Sequence, residues 1–196
     1  MTNPLPVEPW KVRNATEFGA LCEQPNEKVW AMKDCEAGCY AQNEFLRDAF
    51  NVSEDCLTVN VFTRQSQLQS IQNGGENLDP VLIYIHGGSF FINGSPMYRV
   101  QKLVTMGLVV VTFNYRLGIF GFLSTGDEVA PGNYGLFDQV MVLEWVRDNI
   151  RVFGGDAQRV TIMGNSAGAA SAFMHMVSPI SKGTKTTMNT SIKGKL

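Results

Sequence analysis

Four short segments of the chain carry strand-like hydrophobic patterns. Residues 57–62 alternate in hydrophobicity, whereas residues 81–85, 108–113 and 160–163 are continuous apolar runs rich in valine and isoleucine. Alternation is typical of a strand, and short β-branched runs are typical of strands that helices cover on both faces. The pattern therefore predicts a parallel or mixed sheet inside a layered fold.

Two helices are predicted around the last of these strands. One apolar stripe recurs every three or four residues, as on the buried face of an amphipathic helix: Leu136, Val140, Leu143, Val146, Ile150 and Phe153. Gly154-Gly155 supplies a C-terminal stop, and the small residues 167–174 predict a second helix that can press closely on a sheet. This order indicates an α/β fold with a central, mostly parallel sheet flanked by helices. The polar segment 65–79 is predicted to be a surface loop, and residues 1–56 are irregular.

A glycine-flanked serine lies between the strand at 160–163 and the alanine-rich helix. Gly164-Asn165-Ser166-Ala167-Gly168 matches the pattern G-x-S-x-G in the strand–turn–helix context that the pattern requires. The glycines are needed because side chains on either flank of the strained turn would clash with neighbouring backbone. Such a turn would hold the Ser166 hydroxyl above the sheet at a helix N-terminus, which favours negative charge. For the motif alone, a glycine-rich turn with a serine N-cap is the alternative.

A pair of glycines also follows the strand at 81–85. In His86-Gly87-Gly88-Ser89-Phe90 the strand ends in glycines that leave backbone N–H groups without side-chain cover. With the N–H of Ala167, such donors can form an oxyanion hole for acyl transfer. A simple glycine turn is the alternative, but the presence of both motifs in one chain favours acyl chemistry.

Composition restricts the classes of function. Of the 196 residues, 44% are hydrophobic and 17% are charged, and the net charge of −2 comes without a long basic or acidic run. These values indicate a globular domain and favour neither a nucleic-acid nor a membrane-surface partner. No apolar stretch approaches the ~20 residues of a membrane span. The segment 1–10 lacks the apolar region of a secretory signal.

Cysteines and glycosylation sequons together indicate an exported protein whose signal is not in this chain. The cysteines are Cys22, Cys35, Cys39 and Cys56, and the sequons begin at Asn14, Asn51, Asn93 and Asn189. The cysteine spacing fits no zinc pattern, so no metal site is expected. One or two disulfides, or reduced buried thiols, are the alternatives.

Five further blocks, in order, make the chain resemble the type-B carboxylesterase and cholinesterase family. They are residues 53–61, residues 114–118 with 121–123, residues 132–139, residues 145–150 and residues 153–156. The resemblance extends from about Pro6 to Gly183. Within the family, the chain resembles insect esterases, including juvenile-hormone esterases. The resemblance implies that residues 1–183 are part of an α/β-hydrolase domain that is truncated at both ends. Residues 184–196 diverge and are predicted to be a disordered tail.

The resemblance implies an ester hydrolase that works through an acyl-serine intermediate without metal or cofactor. Its substrate would be a small-molecule ester, and the family is secreted. Ser166 would be the nucleophile. Backbone N–H groups of Gly88, Ser89 and Ala167 would bind the oxyanion, while Gly87 shapes the loop. Ser89 stands where the family often has a third glycine, a change that keeps the N–H but narrows the loop.

Two structural pairs are also implied by the resemblance. Cys22 and Cys56 would form the family's first disulfide, and Arg116 and Asp156 would form a buried ion pair behind the nucleophile. Two separate surface charges are the alternative for the second pair. The other two cysteines have no family counterpart, and a local bridge between them stays open. The oligomeric state is not indicated.

The rest of a catalytic triad is not evident in this chain. In this fold the acid and the histidine follow the serine, yet after Ser166 the chain has no Asp or Glu and only His175. Nine residues along a helix place His175 roughly 13 Å from the serine, so a packing or surface role is expected. His86 would need a rearrangement to act as base. The chain alone is therefore expected to be inactive, either as an excerpt of an enzyme or as an inert fragment. A family adhesion domain is a further alternative, although such domains usually lose the serine.

Overall fold

The described residues of this computed structural model, 15–25 and 50–183, form two sheets and five helices. The strands are β1 (Leu21–Cys22), β2 (Val52–Ser53), β3 (Val59–Phe62), β4 (Asp79–Ile85), β5 (Val109–Phe113) and β6 (Gly155–Gly164). The helices are α1 (Gln65–Gln72), α2 (Gln101–Thr105), α3 (Gly118–Phe122), α4 (Tyr134–Asn149) and α5 (Ala167–Val177). Short 3-10 turns occupy Ser95–Met97, Ile150–Phe153 and Ile180–Gly183. No helix in these two ranges is long and apolar enough to cross a bilayer.

The main sheet has the strand order β3-β5-β4-β6. Strand β4 pairs in parallel with both β5 and β6, and β3 is antiparallel to β5. The predicted, mostly parallel sheet is therefore confirmed, and all four predicted strands belong to it. Strand β3 begins at Val59 rather than at residue 57, and β6 is longer than the apolar run at 160–163.

Both faces of the main sheet are covered, as the continuous apolar runs predicted. One face packs against α4 and α5 through the buried residues Val81, Ile83, Ile85, Val109, Val111, Phe113, Val142, Leu143, Val146 and Ala172. On the other face, Leu82 and Val110 pack against Leu103 and Val104 of α2. Complete burial of one such side chain is worth about 1.5–3 kcal/mol. Because successive β4 side chains are buried on opposite faces of the sheet, the carboxyl end of β4, which His86 follows, is held in place.

Helix α4 follows the predicted apolar stripe. Leu143, Val146 and Ile150 are at most 1% exposed. The helix continues into the 3-10 turn and stops at Gly154, whose φ of 83° lies in the left-handed region that favours glycine. The predicted helix and its glycine stop are confirmed.

The segment 65–79 differs from the prediction because its first half is helix α1. The Gln67 side chain is 7% exposed, and its amide donates to the carbonyl oxygens of Asn77 at 2.7 Å and Gly154 at 3.1 Å. Arg64 and Asp79 close the segment with an ion pair of 2.8 Å. Because polar bonds rather than an apolar stripe hold this helix, hydrophobic periodicity missed it.

A disulfide joins the N-terminal ribbon, formed by β1 and β2, to the segment that leads into β3 of the main sheet. Strands β1 and β2 pair in parallel, and a bond joins Cys22 to Cys56, both at most 2% exposed. The predicted first disulfide is confirmed. Cys35, Cys39 and the predicted tail 184–196 lie outside the described residues.

Candidate active site

Ser166 occupies a sharp turn between β6 and α5. Its φ of 51° and ψ of −122° lie in a region that non-glycine residues rarely adopt. The residue is exposed, and its side chain makes no capping hydrogen bond to the helix that begins at Ala167. The hydroxyl therefore lies outside the core at the positive end of an 11-residue helix.

Close backbone contacts explain the two glycines that flank this turn. A Cβ atom on Gly164 would lie 2.5 Å from the Gly168 oxygen. A Cβ atom on Gly168 would lie 2.9 Å from the His86 oxygen and closer still to the Ile85 oxygen. Side chains at either position would force backbone apart, as the sequence predicted.

Strand pairing brings the second glycine motif beside the serine. Strands β4 and β6 are parallel neighbours, and Ile85 is in register with Gly164, so both motifs leave the sheet at the same edge. A Cβ atom on Gly87 would lie 2.7 Å from the Asn165 carbonyl oxygen and 3.2 Å from the Ser166 Cβ atom. The loop after β4 therefore touches the turn that carries the serine.

The loop after β4 holds three consecutive residues with positive φ. The angles are 110° at Gly88, 56° at Ser89 and 60° at Phe90. A Cβ atom on Gly88 would collide with the carbonyl oxygen of Ile92, so this glycine is required by both angle and space. Ser89 adopts the left-handed conformation despite its side chain, which sequence reasoning did not predict.

Three backbone amides near the serine have no hydrogen-bond partner in the described part of the chain. They belong to Gly88, Ser89 and Ala167. Burial raises the pKa of the Tyr98 hydroxyl, and the nearby Gly87 amide only partly offsets that rise. The predicted oxyanion donors Gly88, Ser89 and Ala167 are thus among the amides that no other described residue occupies, and their role stays a prediction.

Two tyrosines brace the loop against the turn, and sequence reasoning missed both. The Tyr84 hydroxyl donates to Asn165 Oδ1 at 3.0 Å, and the Tyr98 hydroxyl accepts from Asn93 Nδ2 at 3.0 Å. The two rings lie 4.6 Å apart. Burial raises the pKa of both phenols, so both remain neutral hydrogen-bonding groups near neutral pH.

His86 lies beside the site but is not poised as a base. The residue is 1% exposed and stacks on Tyr115 at 4.3 Å. Its Nδ1 atom lies 2.8 Å from the Gly87 oxygen, and its Nε2 atom has no partner among the described residues. Burial lowers its pKa to about 4, more strongly than the bond to Gly87 raises it. His86 is therefore neutral and does not bond to Ser166.

His175 is a buried packing residue, which is one of its two predicted roles. Its Nε2 atom lies 2.8 Å from Gln139 Oε1, and its Nδ1 atom lies 2.9 Å from Ser181 Oγ. Gln139 Nε2 donates to Ser171 Oγ at 3.2 Å, and that hydroxyl donates to the Ala167 oxygen at 3.0 Å. Burial lowers the pKa of His175 to about 4. Both ring nitrogens are occupied, so this histidine also does not serve Ser166.

The predicted ion pair between Arg116 and Asp156 is wrong. Arg116 pairs with Asp138 of α4 at 2.7 Å, and the Asp138 side chain is 1% exposed. Asp156 pairs instead with Arg159 at 2.7 Å. The physical reason is strand direction. Arg116 follows the carboxyl end of β5, whereas Asp156 lies at the amino end of β6, beside Pro80.

An open apolar groove of about 500 Å³ adjoins the loop after β4. Its lining residues are Ser89, Phe90, Phe91, Gly118, Ile119, Phe122, Leu123, Asn133, Leu136 and Met174. The aromatic residues Phe90 and Phe91 line this groove. Tyr134 is 3% exposed and lies under the Arg116 guanidinium at 5.5 Å, so it is a core residue.

A serine at a strained strand-to-helix turn, beside a glycine loop from the neighbouring strand, defines the α/β-hydrolase class. Residues 2–189 match the model of the carboxylesterase family, and the chain belongs to that family. This match extends past Gly183. The predicted family and fold class are confirmed.

Relatives of known structure or activity support the same assignment. The chain is 41% identical over 182 residues to pyrethroid hydrolase Ces2a of Mus musculus and 42% identical over 183 residues to juvenile hormone esterase of Tribolium castaneum. Each match covers 92% of this chain, which spans only 30% and 27% of those relatives. The crystal structure of juvenile hormone esterase from Manduca sexta, with OTFP covalently attached, matches at a TM-score of 0.72 and 34% identity. That match covers 91% of this chain and 30% of the other.

Proposed function

We propose that this chain supplies the nucleophile and the oxyanion site of a carboxylic ester hydrolase, with Ser166 as nucleophile. The observation that carries the proposal is the exposed Ser166 side chain on its strained turn, in contact with a loop in which the amides of Gly88 and Ser89 are unpaired among the described residues. The Ser166 oxygen would attack the ester carbonyl and lose its proton to a base. The alcohol then leaves, and water hydrolyses the acyl-serine.

The amides of Gly88, Ser89 and Ala167 are proposed to bind the oxyanion. Two of them lie on the loop after β4, and the third begins helix α5, where the helix dipole adds to the attraction. Each such donor typically lowers the transition-state free energy by ~2.7–4 kcal/mol. Positive φ angles at Gly88 and Ser89 support this role, because the loop turns there while these two amides stay unpaired among the described residues.

The groove beside Ser89 is proposed to hold an apolar acyl or alcohol group of the ester. Its lining is dominated by phenylalanine, leucine, isoleucine and methionine side chains. The described residues around it offer no charged side chain for an ionic substrate. A small-molecule ester with an apolar group is therefore the substrate class that fits.

The general base is proposed to come from outside these 196 residues. The chain has two histidines, and both are buried: His86 Nδ1 lies beside the Gly87 oxygen, and both His175 ring nitrogens face other side chains. Burial also lowers the pKa of each to about 4. We therefore expect the chain alone to show no ester hydrolysis above the buffer rate. The disulfide between Cys22 and Cys56 supports passage of the protein through an oxidising, extracellular route.

A fluorophosphonate probe tests the proposal on the full-length protein that contains this chain. Ser166 should be labelled, and Ser166→Ala should abolish labelling. The matched control is Ser66→Ala, because Ser66 is exposed on α1 away from the site and should not affect the reaction. Absence of labelling in a folded protein, or labelling that survives Ser166→Ala, would overturn the assignment.

A further inference from the structure

We propose that Asn51 is an N-glycan acceptor of this protein and that Asn93 is not, although both begin a glycosylation sequon. The two asparagines have the same sequence signal, Asn51-Val-Ser and Asn93-Gly-Ser. The structure distinguishes them by the exposure and hydrogen bonding of the side-chain amide that would receive the sugar. This inference does not depend on the proposed ester hydrolysis.

Asn51 presents its amide to solvent. Phe50 and Val52 pack against the buried Leu21, so the alternation of an extended segment directs Asn51 to the opposite face. Its backbone oxygen accepts from the Leu21 amide at 2.8 Å, which fixes the backbone and leaves the side chain without a bond in the described structure. The residue is exposed. A glycan on Asn51 Nδ2 therefore displaces no contact of the described fold.

Asn93 is part of the framework of the site. Its Nδ2 atom donates to the Tyr98 hydroxyl at 3.0 Å, and its Oδ1 atom accepts from the Gly94 amide at 3.0 Å. Its backbone exchanges two bonds with the Gln24 side chain, at 2.6 and 3.1 Å. Ser95, the third residue of this sequon, is 2% exposed and accepts from Asn60 at 3.0 Å.

A sugar on Asn93 would therefore disturb the loop that braces the serine. The amide nitrogen that would carry it already faces the half-buried Tyr98 phenol, and the residue has a φ of 96° that its four bonds maintain. Losing such bonds typically costs about 0.5–1.5 kcal/mol each, and more where a buried partner is left unpaired. Chains glycosylated at Asn93 should consequently fail to reach the folded state.

Transfer of an oligosaccharide to Asn51 would take place in a compartment in which disulfides also form. Asn51 Nδ2 would form a bond to the anomeric carbon of an oligosaccharide carried on a lipid diphosphate. The diphosphate leaves, and the nitrogen loses one proton. The bond between Cys22 and Cys56, which closes a separation of 34 residues around Asn51, is typical of that oxidising compartment.

Site mapping on secreted protein tests both halves of the proposal. The chain is expressed behind a cleavable signal in insect cells, and glycans are removed enzymatically in heavy-oxygen water, which marks each occupied asparagine. We expect Asn51 to be marked and Asn93 to be unmarked. Asn51→Gln should remove one glycan from the intact mass, whereas the matched Asn93→Gln should leave the glycan mass unchanged.

A microsomal translation assay keeps the test independent of secretion. A variant in which Asn51 begins the one remaining sequon should gain a single glycan that endoglycosidase H removes, and Ser53→Ala in that variant should abolish it. The proposal is overturned if this variant gains no glycan, or if secreted, disulfide-bonded protein carries a glycan on Asn93. Occupancy of Asn93 confined to retained, misfolded protein agrees with the proposal.

Discussion

Gly168→Ala should move the turn at Ser166 away from the end of β4 and the loop that follows it. Gly168 is the last glycine of the G-x-S-x-G motif and lies in the first turn of α5. The new Cβ atom would lie 2.9 Å from the His86 oxygen and nearer still to the Ile85 oxygen, both on rigid backbone. Ordinary contact between such atoms begins beyond 3 Å, so β4 and α5 must move apart by on the order of 1 Å.

Two opposing effects set the magnitude for this variant. Alanine in place of glycine improves helix propensity by about 1 kcal/mol. Overpacking against fixed backbone typically costs about 1–3 kcal/mol or more, and a contact this close belongs at the upper end. We therefore expect a net loss of about 2 kcal/mol in the free energy of unfolding. A 1 Å displacement of reacting groups can slow a positioned reaction by ~10²-fold, so labelling of Ser166 should slow on that scale.

Urea unfolding and the rate of fluorophosphonate labelling measure the two effects separately. Gly126→Ala is the matched control: a Cβ atom there meets nothing within 4 Å, although the φ of 76° carries its own strain. The control should lose some stability and keep the labelling rate. If Ser166 in Gly168→Ala is labelled as fast as in the parent protein, the close contact between Gly168 and the end of β4 does not exist as described.

Three further predictions concern the groups around the site. Arg116→Leu leaves the Asp138 carboxylate buried without its cation, which should cost about 3–5 kcal/mol in urea unfolding; a smaller loss than 1 kcal/mol would contradict a buried pair. Tyr98→Phe removes the hydroxyl that braces the loop and should slow labelling by about tenfold for about 1–2 kcal/mol of stability, because one hydrogen-bonding group is lost; an unchanged labelling rate would contradict the bracing role. The pKa values of His86 and His175 are lowered to about 4 from 6.5, so the unfolded state binds more protons between these values. Stability should therefore fall as the pH falls, by about 2 kcal/mol per histidine between about pH 7.5 and pH 5, and a flat profile in urea unfolding would contradict their burial.

Patterns that depend on local sequence predicted the centre of the fold. Runs of β-branched residues gave β4 and β5 because a strand covered on both faces tolerates few polar positions. The G-x-S-x-G motif predicted the turn at Ser166 because a side chain at either glycine would clash with nearby backbone, and this clash follows from the turn itself. The Cys22–Cys56 disulfide was reached through family resemblance, and the structure contains it.

Contacts between distant residues were harder to predict. The partner of Arg116 could not be read from spacing, since several carboxylates follow it and strand direction decides which one lies near. Helix α1 was missed because the buried Gln67 amide, bonded to Gly154, replaces the apolar stripe that periodicity detects. The bracing tyrosines Tyr84 and Tyr98 carry no motif at all, and only their position at the end of β4 and after the loop gives them a role.

The N-terminal ribbon belongs to the framework of the site and not only to the stability of the domain. Gln24 is 6% exposed, and its side-chain amide bonds to the oxygens of Cys22 at 2.9 Å and Asn93 at 3.1 Å. The disulfide thereby fixes Gln24, Gln24 fixes Asn93, and Asn93 ends the loop with the positive φ angles. A strained loop persists only where its surroundings hold it in several places. The bridge from Cys22 to Cys56, worth roughly 3–4 kcal/mol in the chain-entropy model, therefore also stabilises the arrangement of free amides beside Ser166.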